Sequence, residues 1–161
     1  MKKKRILDIT YGAMIAALYA VLTLMFAPIS FGAVQLRVSE ALTVLPMYTP
    51  AAVPGLFIGC IIANILGGAI IPDIIFGSLA TLIGAAAARL LRFNRWLVPI
   101  PAVVSNTIII PLVLRYGYGV DLPLIVSMLY IAIGELLSSY VLGEMLITLI
   151  NKTGIFKDKA K

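Results

Sequence analysis

The sequence has no histidine and a single cysteine in 161 residues. Without histidine it lacks the commonest general base and the commonest metal ligand. With only Cys60, no intrachain disulfide can form, and a thiol inside an apolar run reads as a small packing residue. There is no G-x-x-x-x-G-K-[ST] phosphate loop, no G-x-S-x-G elbow, no H-E-x-x-H pair and no cysteine–histidine cluster. The chain therefore has no motif of its own for nucleotide, acyl-transfer or zinc chemistry, and no cofactor or metal is expected. Charge is scarce too: 12% of residues are charged, against about 25% in globular domains.

What is abundant is apolar surface. Hydrophobic residues make up 61% of the chain and the mean hydropathy is +1.07. One soluble core cannot bury that much, so the sequence predicts an integral membrane protein with one domain over 1–161. The apolar runs are long and continuous rather than alternating, which excludes a barrel. The expected fold class is all-α, because helices satisfy every backbone group inside lipid. Spans are expected at 9–27, 40–48, 53–69, 73–91, 96–114 and 124–150. The first is longer than a signal-peptide core and is read as a membrane helix. Pro99, Pro101 and Pro111 should bend or shorten the fifth.

The segment 40–48 is short of the roughly 20 residues a crossing needs. Charge placement nevertheless favours six transmembrane helices with both termini cytoplasmic. Lys2, Lys3, Lys4, Arg5, Arg89, Arg92, Arg95, Lys152, Lys157, Lys159 and Lys161 then lie inside, and Arg37 and Arg115 lie outside. That asymmetry is the positive-inside pattern. The net charge of +6 thus reads as topology and contact with the lipid bilayer, not as nucleic-acid binding.

Between the first two spans, Val34, Leu36 and Val38 alternate with Gln35, Arg37 and Ser39, and a helical run begins at Glu40. Period two predicts a structured extracellular loop, extended, with one apolar and one polar face. It is either a solvated loop or part of a ligand site. Polar groups within the spans need a reason, because an ionised side chain at a helix centre costs about 2.5–3.5 kcal/mol on insertion scales. Glu135 shares a face with Ser138 and Ser139. It is either a structural acid bonded to those serines or a group facing a cavity, and the second reading is preferred. Asn64 and Asn106 are either interhelical bonds or ligand amides. Asp73 is either a helix N-cap or a carboxylate with Phe76, Gly77 and Ala80 on its face. Tyr116, Tyr118 and Trp96 read as interfacial aromatics, and Glu144 as structural. In the first span, Ala13 and Ala17 interleave with Gly12, Ala16 and Ala20. This small-residue face serves packing within the chain or docking of another membrane subunit.

Three stretches carry a family likeness. They are F-G-A-V-Q-L-R-V-S-E-A-L-T-V-L-P over 31–46, T-P-A-A-V-P-G-L over 49–56, and D-I-I-F-G-S-L-A-T over 73–81. In these, and in length and span count, the chain resembles the queuosine-precursor transporter (QueT) family, the substrate-capture S components of energy-coupling factor (ECF) importers. The resemblance implies a multi-pass protein of a bacterial cell membrane that is not itself an enzyme. It would bind a 7-deazaguanine from outside: 7-cyano- or 7-aminomethyl-7-deazaguanine, or queuine. A transmembrane coupling subunit and two ATPase subunits would drive import. Ala13, Ala16, Ala17 and Ala20 resemble the signature that docks S components on the coupling subunit. Gln35, Arg37, Glu40, Asn64, Asp73, Phe76, Asn106 and Glu135 are the candidate substrate-binding residues. Phe31 or Phe76 would stack on the ring, and Arg37 would pair with Glu40 to order the loop. Two alternatives remain open: an S component for another small vitamin, and a stand-alone membrane enzyme or scaffold.

Overall fold

The computed structural model describes residues 2–31 and 35–154. Among them there is no strand. The helices are α1 (Lys2–Met25), the short α2 (Ala27–Ser30), a 3₁₀ helix (Val38–Met47), α3 (Ala52–Leu66), α4 (Ile71–Leu90), α5 (Ile100–Tyr116), α6 (Leu124–Glu135), a π-helical segment (Leu136–Leu142) and α7 (Gly143–Thr153). The last three run on as one rod. Three stretches are long and apolar enough to cross a bilayer: Lys4–Met25, Ile71–Leu90 and Leu124–Thr153. The apolar helices Val38–Met47, Ala52–Leu66 and Ile100–Tyr116 are shorter. At 1.5 Å per residue the 15 residues of α3 reach about 22 Å, less than the roughly 30 Å of a hydrocarbon core.

The prolines act at the start of the fifth helix rather than in its middle. Pro99 is the N-cap residue of α5 and Pro101 lies in its first turn, so the helix begins at Ile100 instead of Trp96. Pro111 is accommodated inside it. The expected helix at 40–48 is present, but wound as ten residues of 3₁₀ helix. Runs of that length are uncommon because the hydrogen bonds are poorer. This one survives because it is enclosed: residues 39–46 are all buried. It packs against α1, α4, α7 and the π-helical segment.

Small residues let α1 and α3 approach closely. A Cβ added at Gly55 would sit 2.6 Å from the Gly12 carbonyl oxygen, and one added at Gly59 would sit 2.8 Å from that of Ala16. Gly12 meets Gly55 and Ala16 meets Gly59, so the two helices run parallel. The small-residue face of α1 is therefore divided. Ala16 and Ala20 are buried, while Ala13 and Ala17 are exposed. Further contacts gather one end of the bundle. The Tyr48 hydroxyl donates to Asn151 Oδ1 at 2.9 Å, and Arg89 donates to the carbonyls of Pro46 and Met47 at 2.9 and 3.1 Å. Arg95 is bonded to Glu144 at 2.6 Å in the same region.

Candidate functional site

The loop after α2 turns its polar side inward. Gln35 and Arg37 are buried, whereas Leu36 and Val38 are only partly so. The solvated-loop reading is thereby excluded, and the expected extended segment is short. Arg37 is extended, but Gln35 has φ +45°. A non-glycine residue in that region is strained, and such strain collects at ligand clamps and switches. Val34 lies outside the described residues.

Arg37 enters the protein at the level of α3 and α4. It lies over the Phe31 ring, 5.2 Å from the centroid, and its Nε donates to the Ser30 carbonyl at 3.3 Å. The expected ion pair with Glu40 does not form: no carboxylate oxygen among the described residues lies within 4.0 Å of the guanidinium. Phe31, which is partly buried, is thus occupied with the arginine. One Glu40 oxygen is held by two hydroxyls. The fully buried Tyr19 on α1 donates to Oε1, and Thr81 on α4 lies 3.4 Å from the same atom. Thr43 Oγ1 accepts or donates to Ser139 Oγ at 2.9 Å, linking the 3₁₀ helix to the π-helical segment.

Cys60 lies between these groups. Its sulfur is within 3.9 Å of Arg37 Nη1, 3.7 Å of Asn64 Nδ2 and 3.5 Å of Thr81 Oγ1. Asn64 also donates to the Asp73 carbonyl at 3.3 Å, the interhelical bond that α3 and α4 share. Asp73 does not cap its helix, since Ile70 is the N-cap residue and no side chain bonds there. Instead Asp73 Oδ2 accepts from the Tyr118 hydroxyl at 3.0 Å. Burial pushes the Tyr118 phenol above its ordinary range, and the neighbouring Asp73 charge adds to this. The hydroxyl therefore remains a donor at neutral pH.

Glu135 lies at the junction of α6 and the π-helical segment, where such segments often mark function. Its serine neighbours do not hold it. Ser138 donates to the Gly134 carbonyl at 2.7 Å, and Ser139 turns to Thr43. The groups acting on Glu135 are Glu40, Arg37 and the adjacent Asn106. Phe76 departs from expectation. It is 51% exposed and lines an outer apolar groove with Leu79, Ile83 and Leu112. Asp73, Gly77, Ala80 and Thr81 point inward, and at three residues from Asp73 the Phe76 side chain falls on the groove side of α4.

One property unites the buried residues. Arg37 Nη2, Glu40 Oε2, Asn64 Oδ1, Asp73 Oδ1, Asn106 Nδ2 and Glu135 Oε2 are each buried without a hydrogen-bond partner. A polar atom left so costs about 1–3 kcal/mol, more when charged. Two donors and four acceptors of this kind, each next to another, form a surface shaped for a polar molecule rather than a finished core. Tyr19 and Thr81 were not among the sequence-level candidates. A tyrosine in the middle of an apolar span and a threonine one turn from Gly77 were the available signals.

The family model described as "QueT transporter" matches residues 9–152. The queuosine precursor transporter QueT of Lactococcus lactis subsp. cremoris (strain MG1363) is 38% identical over 98 residues. That alignment covers 60% of this chain and 57% of the relative, so it spans little more than half of the other protein's length. No solved structure matches. The family match covers nearly the whole apolar body, including every residue of the buried polar cluster, and the chain belongs to the QueT transporter family.

Proposed function

We propose that this chain is the substrate-capture component of an ECF importer and binds a queuosine precursor of the 7-deazaguanine type. The observation that carries this reading is the set of six unbonded polar atoms buried in one cluster. A deazaguanine edge offers two neighbouring N–H donors beside a carbonyl. A carboxylate oxygen of Glu40, Asp73 or Glu135 accepts from such donors, while Arg37 Nη2 or Asn106 Nδ2 donates to the carbonyl. A second carboxylate suits an aminomethyl cation on the five-membered ring. The Lactococcus relative, named for a queuosine precursor, supports the same substrate class. Gln35, whose strained backbone borders the cluster, belongs to the rim of this site.

Six crossings with cytoplasmic termini agree with the contacts at one end of the bundle. There Arg89, Arg95 and Asn151 lie near the end of the 3₁₀ helix and the end of α7. The short 3₁₀ helix then serves as the second crossing, enclosed by protein rather than lipid. Ala13 and Ala17, exposed on α1, are the docking positions for the coupling subunit, which works with two ATPase subunits.

The test is equilibrium binding in detergent to 7-cyano-7-deazaguanine, 7-aminomethyl-7-deazaguanine, queuine, guanine, thiamine, riboflavin and biotin. Tight binding of one deazaguanine with guanine much weaker is expected. Selective binding of an unrelated vitamin would overturn the substrate. Ala13→Leu and Ala17→Leu should stop uptake and co-purification of the coupling subunit with binding intact. If those variants dock normally, the assignment of that face is wrong.

A further inference from the structure

A second concave site lies at the opposite end of the bundle from Asp73 and shares no residue with the polar cluster. It is a cavity of about 600 Å³ between α7 and the connection from α4 to α5, lined by Arg95, Trp96, Glu144, Met145, Leu149 and Lys152 among others. Its two parts differ in chemistry. Met145 and Leu149, one turn apart on α7, are 64% and 58% exposed, and this apolar wall faces outward from the bundle. Above it stand the Arg95 guanidinium and Lys152, which has no ion-pair partner among the described residues.

The arginine is held in place. Arg95 Nε and Nη2 bond Glu144 Oε2 at 3.0 and 2.6 Å, and Nη2 reaches Thr148 Oγ1 at 3.2 Å. Its guanidinium lies 4.7 Å from the Trp96 ring centroid. Those contacts leave Nη1 pointing away from the ion pair with no bond to the described residues. Glu144 contributes an acceptor as well, since its Oε1 is buried without a partner. The site therefore presents two cationic groups, one buried acceptor, an interfacial tryptophan and an apolar wall, in that order toward the lipid.

We infer that this cavity is a specific site for an anionic glycerophospholipid with a hydroxylated headgroup. The phosphodiester lies between Arg95 and Lys152, a headgroup hydroxyl donates toward Glu144 Oε1, and an acyl chain runs along Met145 and Leu149. Charge complementarity selects the anion, because a basic residue near a membrane surface attracts anionic lipid. The fixed guanidinium loses little freedom on meeting a phosphate. The buried acceptor separates this site from a merely basic surface. A quaternary ammonium has no hydrogen to give Glu144, whereas a glycerol hydroxyl has one.

The test is native mass spectrometry of the full chain in detergent, titrated with phosphatidylglycerol or phosphatidylcholine of the same acyl chains. Phosphatidylglycerol should be retained in preference. Lys152→Ala should weaken its retention roughly fivefold, the loss expected for one interfacial cation. Arg115→Ala, at the other end, should change nothing. Glu144→Gln keeps the side chain's shape and separates headgroup recognition from folding: it should narrow the preference over phosphatidylcholine. Equal retention of the two lipids, or equal effects of Lys152→Ala and Arg115→Ala, overturns the proposal. So does loss of coupling-subunit co-purification in Lys152→Ala with lipid retention unchanged, which would give the cavity to a protein. None of these readouts depends on the deazaguanine substrate.

Discussion

Two arginines show how differently the two ends of this bundle are built. Arg95 is partly exposed and its charge is met by Glu144 with two hydrogen bonds, by Thr148 and by the Trp96 ring. Arg37 is buried, meets no carboxylate within 4.0 Å and keeps Nη2 unbonded. The same contrast holds for their surroundings. At the Arg95 end, Arg89 and Tyr48 also find partners on neighbouring elements. Around Arg37, three carboxylates and two amides each keep an atom unbonded. Burying an unpaired charge is far more costly than leaving a surface pair in water. The expensive arrangement sits in the interior, so it is the one that needs a functional reason. The ordinary one ties helix ends together.

The contrast can be broken by mutation. The largest effect is expected at Glu135. Glu135→Gln keeps the shape and removes the charge, and should weaken deazaguanine binding about 100-fold, as for one member of a buried charged pair. Calorimetry measures it directly, and unchanged affinity would return Glu135 to a structural role. Next comes Tyr19→Phe, which takes one of the two hydroxyls from Glu40 Oε1. Affinity should fall by about tenfold, the effect of one lost bond to a charged group. A fall in melting temperature with unaltered affinity would show that Tyr19 serves folding alone.

Tyr118→Phe sharpens the comparison at the rim. The raised phenol of Tyr118 keeps its proton at neutral pH and holds Asp73 from outside. Because the folded value lies above the unfolded one, this stabilisation is complete below the unfolded value and is lost as pH rises through the folded value. The wild-type chain should thus lose more stability than Tyr118→Phe between neutral and strongly alkaline pH, measured by thermal unfolding. Equal pH profiles would show that the contact carries no linkage. The smallest effect belongs to the other end. Glu144→Gln should change deazaguanine affinity by less than about twofold, because distant sites act independently. A larger change would mean that the two ends are coupled.

Much of this was legible in the chain. Glu135, Asp73, Asn64 and Asn106 stand out in apolar runs because lipid offers a polar atom no partner, and all four are buried with an unbonded atom. Helix positions followed from hydropathy for the same reason. Other features were hidden because hydropathy does not report hydrogen-bond register. The 3₁₀ winding of 38–47 and the π-helical turn after Glu135 are choices of carbonyl partner, and tertiary packing makes them. Alternation at 34–39 gave two faces but not which one looks inward, and the polar face is the buried one. Phe76 failed because spacing of three on a helix leaves a 60° ambiguity, enough to place a ring outside the bundle. Tyr19 and Thr81 were overlooked because hydroxyls are common in membrane helices, where they bond their own backbone, as Thr23 bonds the Tyr19 carbonyl. Ala16 and Ala20 belonged to the right pattern, but α3 covers them.

The π-helical segment also constrains how this chain can change length. A π turn holds one more residue than an α turn, so the extra residue sets the rotation of everything after it. Deleting a single residue within 136–142 would restore a plain α-helix and turn α7 by about 100°. Ile147 and Ile150 would leave the core, and Gly143 would no longer lie against Val44. Insertions in the exposed connection after Tyr116 should be tolerated, while even one missing residue beside Glu135 should not.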